Sequence, residues 1–182
     1  EFEIPTFAEV IALVEDASAA VGRNIGIYPE TKHPTFFDEQ GLSLEEPLVQ
    51  TLVDTGFTNP NRIFIQSFEI ANLLDLRNNL LPEAGLDNLK LVQLFGDTDG
   101  SFINAGGGGF SVPYDLVANA NLSDAEKAAI YGDLLPFLDF ENPGYDSLAN
   151  AEAIVEISSY ADGLGPWKNN ILLREAIDTP VD

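Results

Sequence analysis

Apolar residues recur at helical spacing in the opening stretch, where Val10, Leu13 and Val14 share one face and Thr6 with Glu9 has the spacing of a capping box. The pattern predicts a first helix that stops at Gly22. Ile25 to Lys32 reads as a strand, and a polar, aromatic loop follows from His33 to Gly41. Ser43 with Glu46 repeats the capping spacing, and Leu48, Val49, Leu52 and Val53 predict a helix that ends at Gly56. Arg62 to Phe68 is β-branched and aromatic, as in a strand. Glu69 to Leu80 carries Leu73, Leu74 and Leu76 at helical spacing before Pro82, and Leu89 to Phe95 predicts another strand. Strands separated by helices indicate a parallel sheet with helices packed outside it, in a β/α barrel or a doubly wound sheet.

Gly96 to Tyr114 breaks the rhythm with Gly, Asp and Asn, including four consecutive glycines at Gly106 to Gly109, and is too long for an ordinary connection. Ser123 and Glu126 then predict a capped helix through Lys127, Ile130 and Leu134, and Leu148 to Tyr160 a further helix. Ala161 to Pro166 reads as a short strand and turn, and Asn170 to Ala176 as a closing helix. No internal repeat or linker divides the chain. Residues 1–182 are expected to form one unit, with 96–160 as an insertion or lid. A β/α barrel takes about 250 residues and eight strands. This chain begins on a helix and offers about four, so an incomplete barrel lacking its N-terminal and closing strands is expected.

Composition changes the picture by exclusion. Eight Lys and Arg against 30 Asp and Glu leave a formal net charge of −22, while 45% of residues are hydrophobic, as in a chain that folds. No basic stripe exists for nucleic acid or an anionic membrane surface. The apolar runs fall far short of the roughly 20 residues of a transmembrane helix. The absence of Cys removes thiol nucleophiles and disulfides and leaves the compartment open. The absence of Met suggests a mature product or a piece of a larger protein.

Glu30 and Lys32 stand two apart on a strand and therefore point to the same side. In a barrel wall they would sit at the C-terminal end, where barrel enzymes place their chemistry. Equally, they suit a buried ion pair that fixes the sheet. Asp97 to Ser101 resembles the start of a calcium loop, but position twelve from Asp97 is Gly108, which excludes an EF-hand. The glycine run lacks the Lys-Ser/Thr of a phosphate-binding loop.

The string Gly26 to Pro34 (GIYPETKHP) resembles the glycerophosphodiester phosphodiesterase family. Ile4 to Val10 (IPTFAEV), Ile65 to Glu69 (IQSFE), Leu91 to Leu94 and Ala161 to Pro166 continue the resemblance in the same order, closest to the longer, mostly secreted or periplasmic members. The resemblance implies a partial TIM-type (β/α)8 barrel in a periplasmic or extracellular protein. It implies Glu30 as a ligand of a divalent metal, Ca²⁺ or Mg²⁺, and Lys32 as the cation beside the phosphate. Gln66, Ser67 and Glu69 would line the same mouth, with Glu69 a candidate for substrate hydroxyls. Gln93 and Trp167 are weaker candidates, each equally suited to packing or polar filling. The implied substrate is a glycerophosphodiester, cleaved to glycerol phosphate and an alcohol.

The family's catalytic histidine pair, in a His-Arg-Gly string and a His-Asp pair, and its Glu-x-Asp metal pair do not occur in this sequence. The single histidine, His33, matches neither catalytic position and reads as a loop residue beside Pro34. The chain alone is therefore expected to be inactive and to need the missing segment, on the same polypeptide or on a second chain. A non-catalytic acidic extracellular protein that retains the barrel is the competing expectation, and a phospholipase of the sphingomyelinase D type a third.

Overall fold

A computed structural model describes residues 3–98 and 112–172. Helix α1 (Phe7–Val21) forms as the sequence predicts: the Thr6 hydroxyl accepts from the Glu9 N–H, the Glu9 carboxylate accepts from the Thr6 N–H, and Gly22 closes the helix at φ 65°. Helix α2 (Pro34–Glu39) lies where a loop was expected, opened by Pro34 at a position that needs no N–H. Helix α3 (Glu45–Thr55) ends on Gly56 as expected, but its start differs. Leu44 is the cap, and the Ser43 hydroxyl donates to the Glu45 and Glu46 carboxylates instead of accepting a backbone N–H.

Strands β1 (Phe64–Ser67), β2 (Lys90–Phe95) and β3 (Gly163–Pro166) form a parallel sheet in that order. Residues 27–30 lie parallel along the outer edge of β1 through bridges at Ile27 with Ile63 and Glu30 with Gln66. Pro29 has no N–H to give, so this edge pairs only at isolated points. A Cβ on Gly26 would fall 2.8 Å from the Arg62 carbonyl oxygen, so the approach of the two backbones depends on glycine. The strand order follows the chain without reversal, which is consistent with a partial β/α barrel.

Helices cover one face of the sheet. Ile63, Ile65, Leu91 and Phe95 are buried there against Leu73, Leu76, Tyr145 and Ile157 among others. The other face carries Tyr28, Phe64, Gln66, Val92 and Leu94 and is concave: a Cβ on Gly165 would meet Leu94 Cδ2 at 2.5 Å and the Tyr28 hydroxyl, from the far edge of the sheet, at 3.6 Å.

Helix α4 (Ile70–Asp75) does not stop before Pro82. It runs through a π turn (Leu76–Leu80), closed by the Leu81 N–H donating to the Leu76 carbonyl, into α5 (Leu81–Glu83). From this turn Arg77 donates to the carbonyls of Tyr160, Asp87 and Leu89 and to Asp162 Oδ2 at 2.6 Å. Asp162 Oδ2 also accepts from the Leu91 N–H, which fastens the start of β3 to β2.

Between β2 and β3 the described residues include α6 (Tyr114–Ala118), α7 (Asp124–Tyr131), with the predicted Ser123 and Glu126 box formed, and α8 (Ala151–Ile157). The Gly106 to Gly109 run lies outside the described residues. A last short helix, α9 (Lys168–Ile171), follows β3. Among the described residues no helix is long and apolar enough to cross a membrane.

Candidate functional site

The bridge between Glu30 and Gln66 puts both side chains on the concave face at the C-terminal end of the strands. Lys32, two residues on from Glu30, is exposed, as is Glu30, while Thr31 between them is buried and its hydroxyl donates to Asn72 Oδ1 at 2.6 Å. Gln66 is half-buried and donates from its amide to the Tyr28 carbonyl at 3.0 Å, which sets its side chain along the edge strand. Trp167 follows β3 at the same end, its N–H donating to the Phe95 carbonyl at 2.8 Å. The structure thus brings Glu30, Lys32, Gln66 and Trp167 to one end of the sheet.

Ser67 and Gln93 are register partners on the opposite, helix-packed face, and both are fully buried. The Ser67 hydroxyl donates to the Thr31 carbonyl and accepts from the Glu69 N–H. The Gln93 amide donates to the carbonyls of Ser67, Phe68 and Leu94, and its oxygen accepts from the Tyr160 hydroxyl at 2.9 Å. Those bonds give Gln93 the character of polar filling, and they hold the ends of β1 and β2 together.

Glu69 is 1% exposed. Its Oε2 accepts from the Thr35 N–H at 3.0 Å, and its Oε1 lies 3.9 Å from His33 Nδ1. Burial raises its pKa, opposed by the Thr35 bonds and by the charge of a protonated His33. Beside it, Asp115 of α6 accepts from the N–H groups of Ile70 and Ala71 and so caps α4 from 45 residues away. Complete burial pushes the Asp115 carboxyl up to about 7. Sequence reasoning missed Asp115 because a cap supplied across the fold leaves no local spacing signal, and α4 itself begins without a side-chain cap from its neighbours.

An acidic cleft of about 420 Å³ opens nearby, bordered by Asp38, Glu45, Glu46, Asp75 and Asn72. It includes none of the candidate mouth residues. Burial, reinforced by neighbouring carboxylates, raises the pKa values of Asp38 and Glu45.

Ca²⁺ takes six to eight oxygen donors and Mg²⁺ six. Among the described residues no three His, Asp or Glu side chains come close enough together to hold a metal ion, and Glu30 is a single exposed carboxylate. These residues do not by themselves make the implied metal site. Asp97, the first residue of the acidic turn, is 2% exposed, and the turn's continuation from Asp99 lies outside the described residues.

No family model matches the chain. It is 28% identical over 152 residues to a glycerophosphodiester phosphodiesterase of Haemophilus influenzae, covering 83% of this chain and 40% of the relative. Enzymes of the same name from Arabidopsis thaliana and Treponema pallidum are 26% and 27% identical, over 100% and 92% of this chain and 40% and 39% of theirs. The chain thus spans about two fifths of the length of the curated relatives it matches.

Proposed function

We propose that this chain is the portion of a glycerophosphodiester phosphodiesterase that carries the Glu-x-Lys strand, and that the longer enzyme hydrolyses a glycerophosphodiester to glycerol phosphate and an alcohol. The observation that carries this reading is the placement of Glu30 and Gln66 on the concave face at the C-terminal end of parallel strands, with Lys32 exposed two residues beyond Glu30. Three relatives bearing that enzyme's name, each matching most or all of this chain, support it. In each relative the matched region is part of one longer polypeptide, so they favour a single chain over a second subunit.

In this reading water adds at phosphorus, the bond from phosphorus to the departing alcohol oxygen breaks, and the alcohol leaves with a proton. Lys32 neutralises charge on the phosphoryl oxygens as it builds, which is the larger part of what a protein contributes to phosphoryl transfer. Gln66 has an amide oxygen and a second N–H left to orient substrate. Glu30 would supply one carboxylate donor to a divalent cation, Ca²⁺ or Mg²⁺, completed by residues beyond this set. The localisation in keeping with the longer relatives of the resemblance is periplasmic or extracellular.

The test is release of glycerol phosphate from glycerophosphocholine and glycerophosphoethanolamine by the longer protein. Lys32→Ala should lower kcat by about 10²- to 10³-fold. An active longer protein whose rate is indifferent to both Lys32→Ala and Glu30→Gln would sink the assignment of this mouth. A folded longer protein that releases no glycerol phosphate would favour the alternative of an acidic structural or binding protein.

A further inference from the structure

His33 is the only non-glycine residue with positive φ among the described residues, at φ 53° and ψ 50°. Such a backbone is uncommon outside glycine and is strained, so something holds it. What the conformation achieves is the placement of the imidazole. Nδ1 faces Glu69 Oε1 at 3.9 Å, and the ring meets Tyr114 edge to face with centroids 6.1 Å apart. Glu69 Oε1 is buried and accepts no hydrogen bond from the described residues, and the facing imidazole is placed to compensate it. The imidazole itself is not enclosed: the side chain is 54% exposed, and Nε2, across the ring from Nδ1, makes no hydrogen bond with the described residues. Lys32 precedes it in the chain at the same end of the sheet.

We propose that His33 and Glu69 form a carboxylate–imidazole pair that presents the outward Nε2–H of a protonated His33 to an oxyanion, adding a second cationic contact beside Lys32 for a phosphate or phosphodiester oxygen. Glu69 acts as a positioning residue: its Oε1 faces Nδ1 and leaves Nε2 directed outward. The Thr35 N–H holds the other carboxylate oxygen, so the pair and the start of α2 are fixed together. On a chain of net charge −22, such local compensation is what lets an anion approach. The phosphodiesterase reading supplies only the identity of the oxyanion's parent, a glycerophosphodiester; the anion site stands on His33, Glu69 and Lys32.

The 182-residue chain contains one histidine, so its ring signals need no assignment. The chain labelled at His would be titrated with inorganic phosphate at pH 6, at constant ionic strength and with a chelator present. The expected result is a saturable displacement of the His33 signals, with a midpoint about tenfold weaker in Glu69→Gln. His33→Asn keeps a residue that tolerates the left-handed backbone, and its phosphate binding, read from phosphorus line broadening, should weaken by a similar factor. Circular dichroism of each variant reports whether the fold is kept. A wild-type chain with no saturable displacement overturns the proposal, as does a midpoint unchanged in a folded Glu69→Gln or His33→Asn. Because the assay needs neither metal nor turnover, its failure is distinct from inactivity of the longer protein, which would count against the phosphodiesterase reading alone.

Discussion

Two amide side chains that look equivalent in the sequence, Gln66 and Gln93, have opposite characters in the fold. Gln93 is fully buried with both ends of its amide engaged, whereas Gln66 is half-buried on the concave face. Gln93→Leu should therefore destabilise the chain by about 1 to 3 kcal/mol, since the Tyr160 hydroxyl and the strand-end carbonyls lose their partner. Glu30→Gln, an exposed substitution, should shift stability by no more than about 0.5 kcal/mol. Urea unfolding followed by circular dichroism separates the two. Gly26 marks a third kind of position, because added volume there meets backbone and not a movable side chain. Gly26→Ala is expected to loosen the edge segment 27–30 from β1 and to lower the unfolding midpoint.

The junction of α6 with α4 ties the fold's stability to pH. Asp115, Glu69, Glu45 and Asp38 all have pKa values raised in the fold, with burial the leading cause. The folded chain thus binds more protons than the unfolded chain, and stability falls as pH rises, for Asp115 through the window from 3.8 to about 7. The exposed capping carboxylates Glu9 and Glu126 are shifted downward and act oppositely, losing their contribution as pH falls through their lowered pKa values. Thermal unfolding should show higher stability near pH 5 than at pH 7.5, and Asp115→Asn should flatten that slope; a slope identical in the variant would refute the assignment. The sequence could show the helices that carry their own caps, at Thr6 and Ser123, because the hydroxyl and the Glu stand three residues apart. It showed α4 through Leu73, Leu74 and Leu76 but not its cap, which arrives from Asp115, nor the true start of α3, where the Ser43 hydroxyl turns to donate. The side taken by Glu30 was legible because alternation along a strand fixes it, whereas Lys32 lies beyond the last bridge of that edge. The placement of Ser67 and Gln93 behind the sheet required the register, which no single strand reveals.

For the whole molecule, a net charge of −22 sets two expectations. Self-repulsion weakens the compact state, so raising sodium chloride from 0.05 to about 0.5 M should increase the unfolding midpoint by screening. Under the proposed function the substrate is itself an anion, and the protein's general field would oppose its approach, so binding would rest on local cations at the mouth. Lys32→Ala in the longer enzyme should consequently raise KM as well as lower kcat. The chain alone should release no glycerol phosphate, and a chelator should abolish turnover by the longer enzyme; measurable hydrolysis by the chain would place the proton-transfer groups within these 182 residues.

The π turn at Leu76–Leu80 has a bearing on how this chain tolerates a change in length. Leu76 and Leu81 are both fully buried although five residues apart, a spacing that an ordinary α-helix would turn about 140° away from a common face. The wide turn absorbs one surplus residue, so the segments on either side keep the phase of a helix one residue shorter. Removing exposed Asn78 should close the turn to regular geometry, leave Leu81 in the core, and produce a chain of 181 residues that unfolds cooperatively at a temperature no lower than the parent. The same deletion in α1 or α3 would rotate one half of the helix's apolar face out of the core.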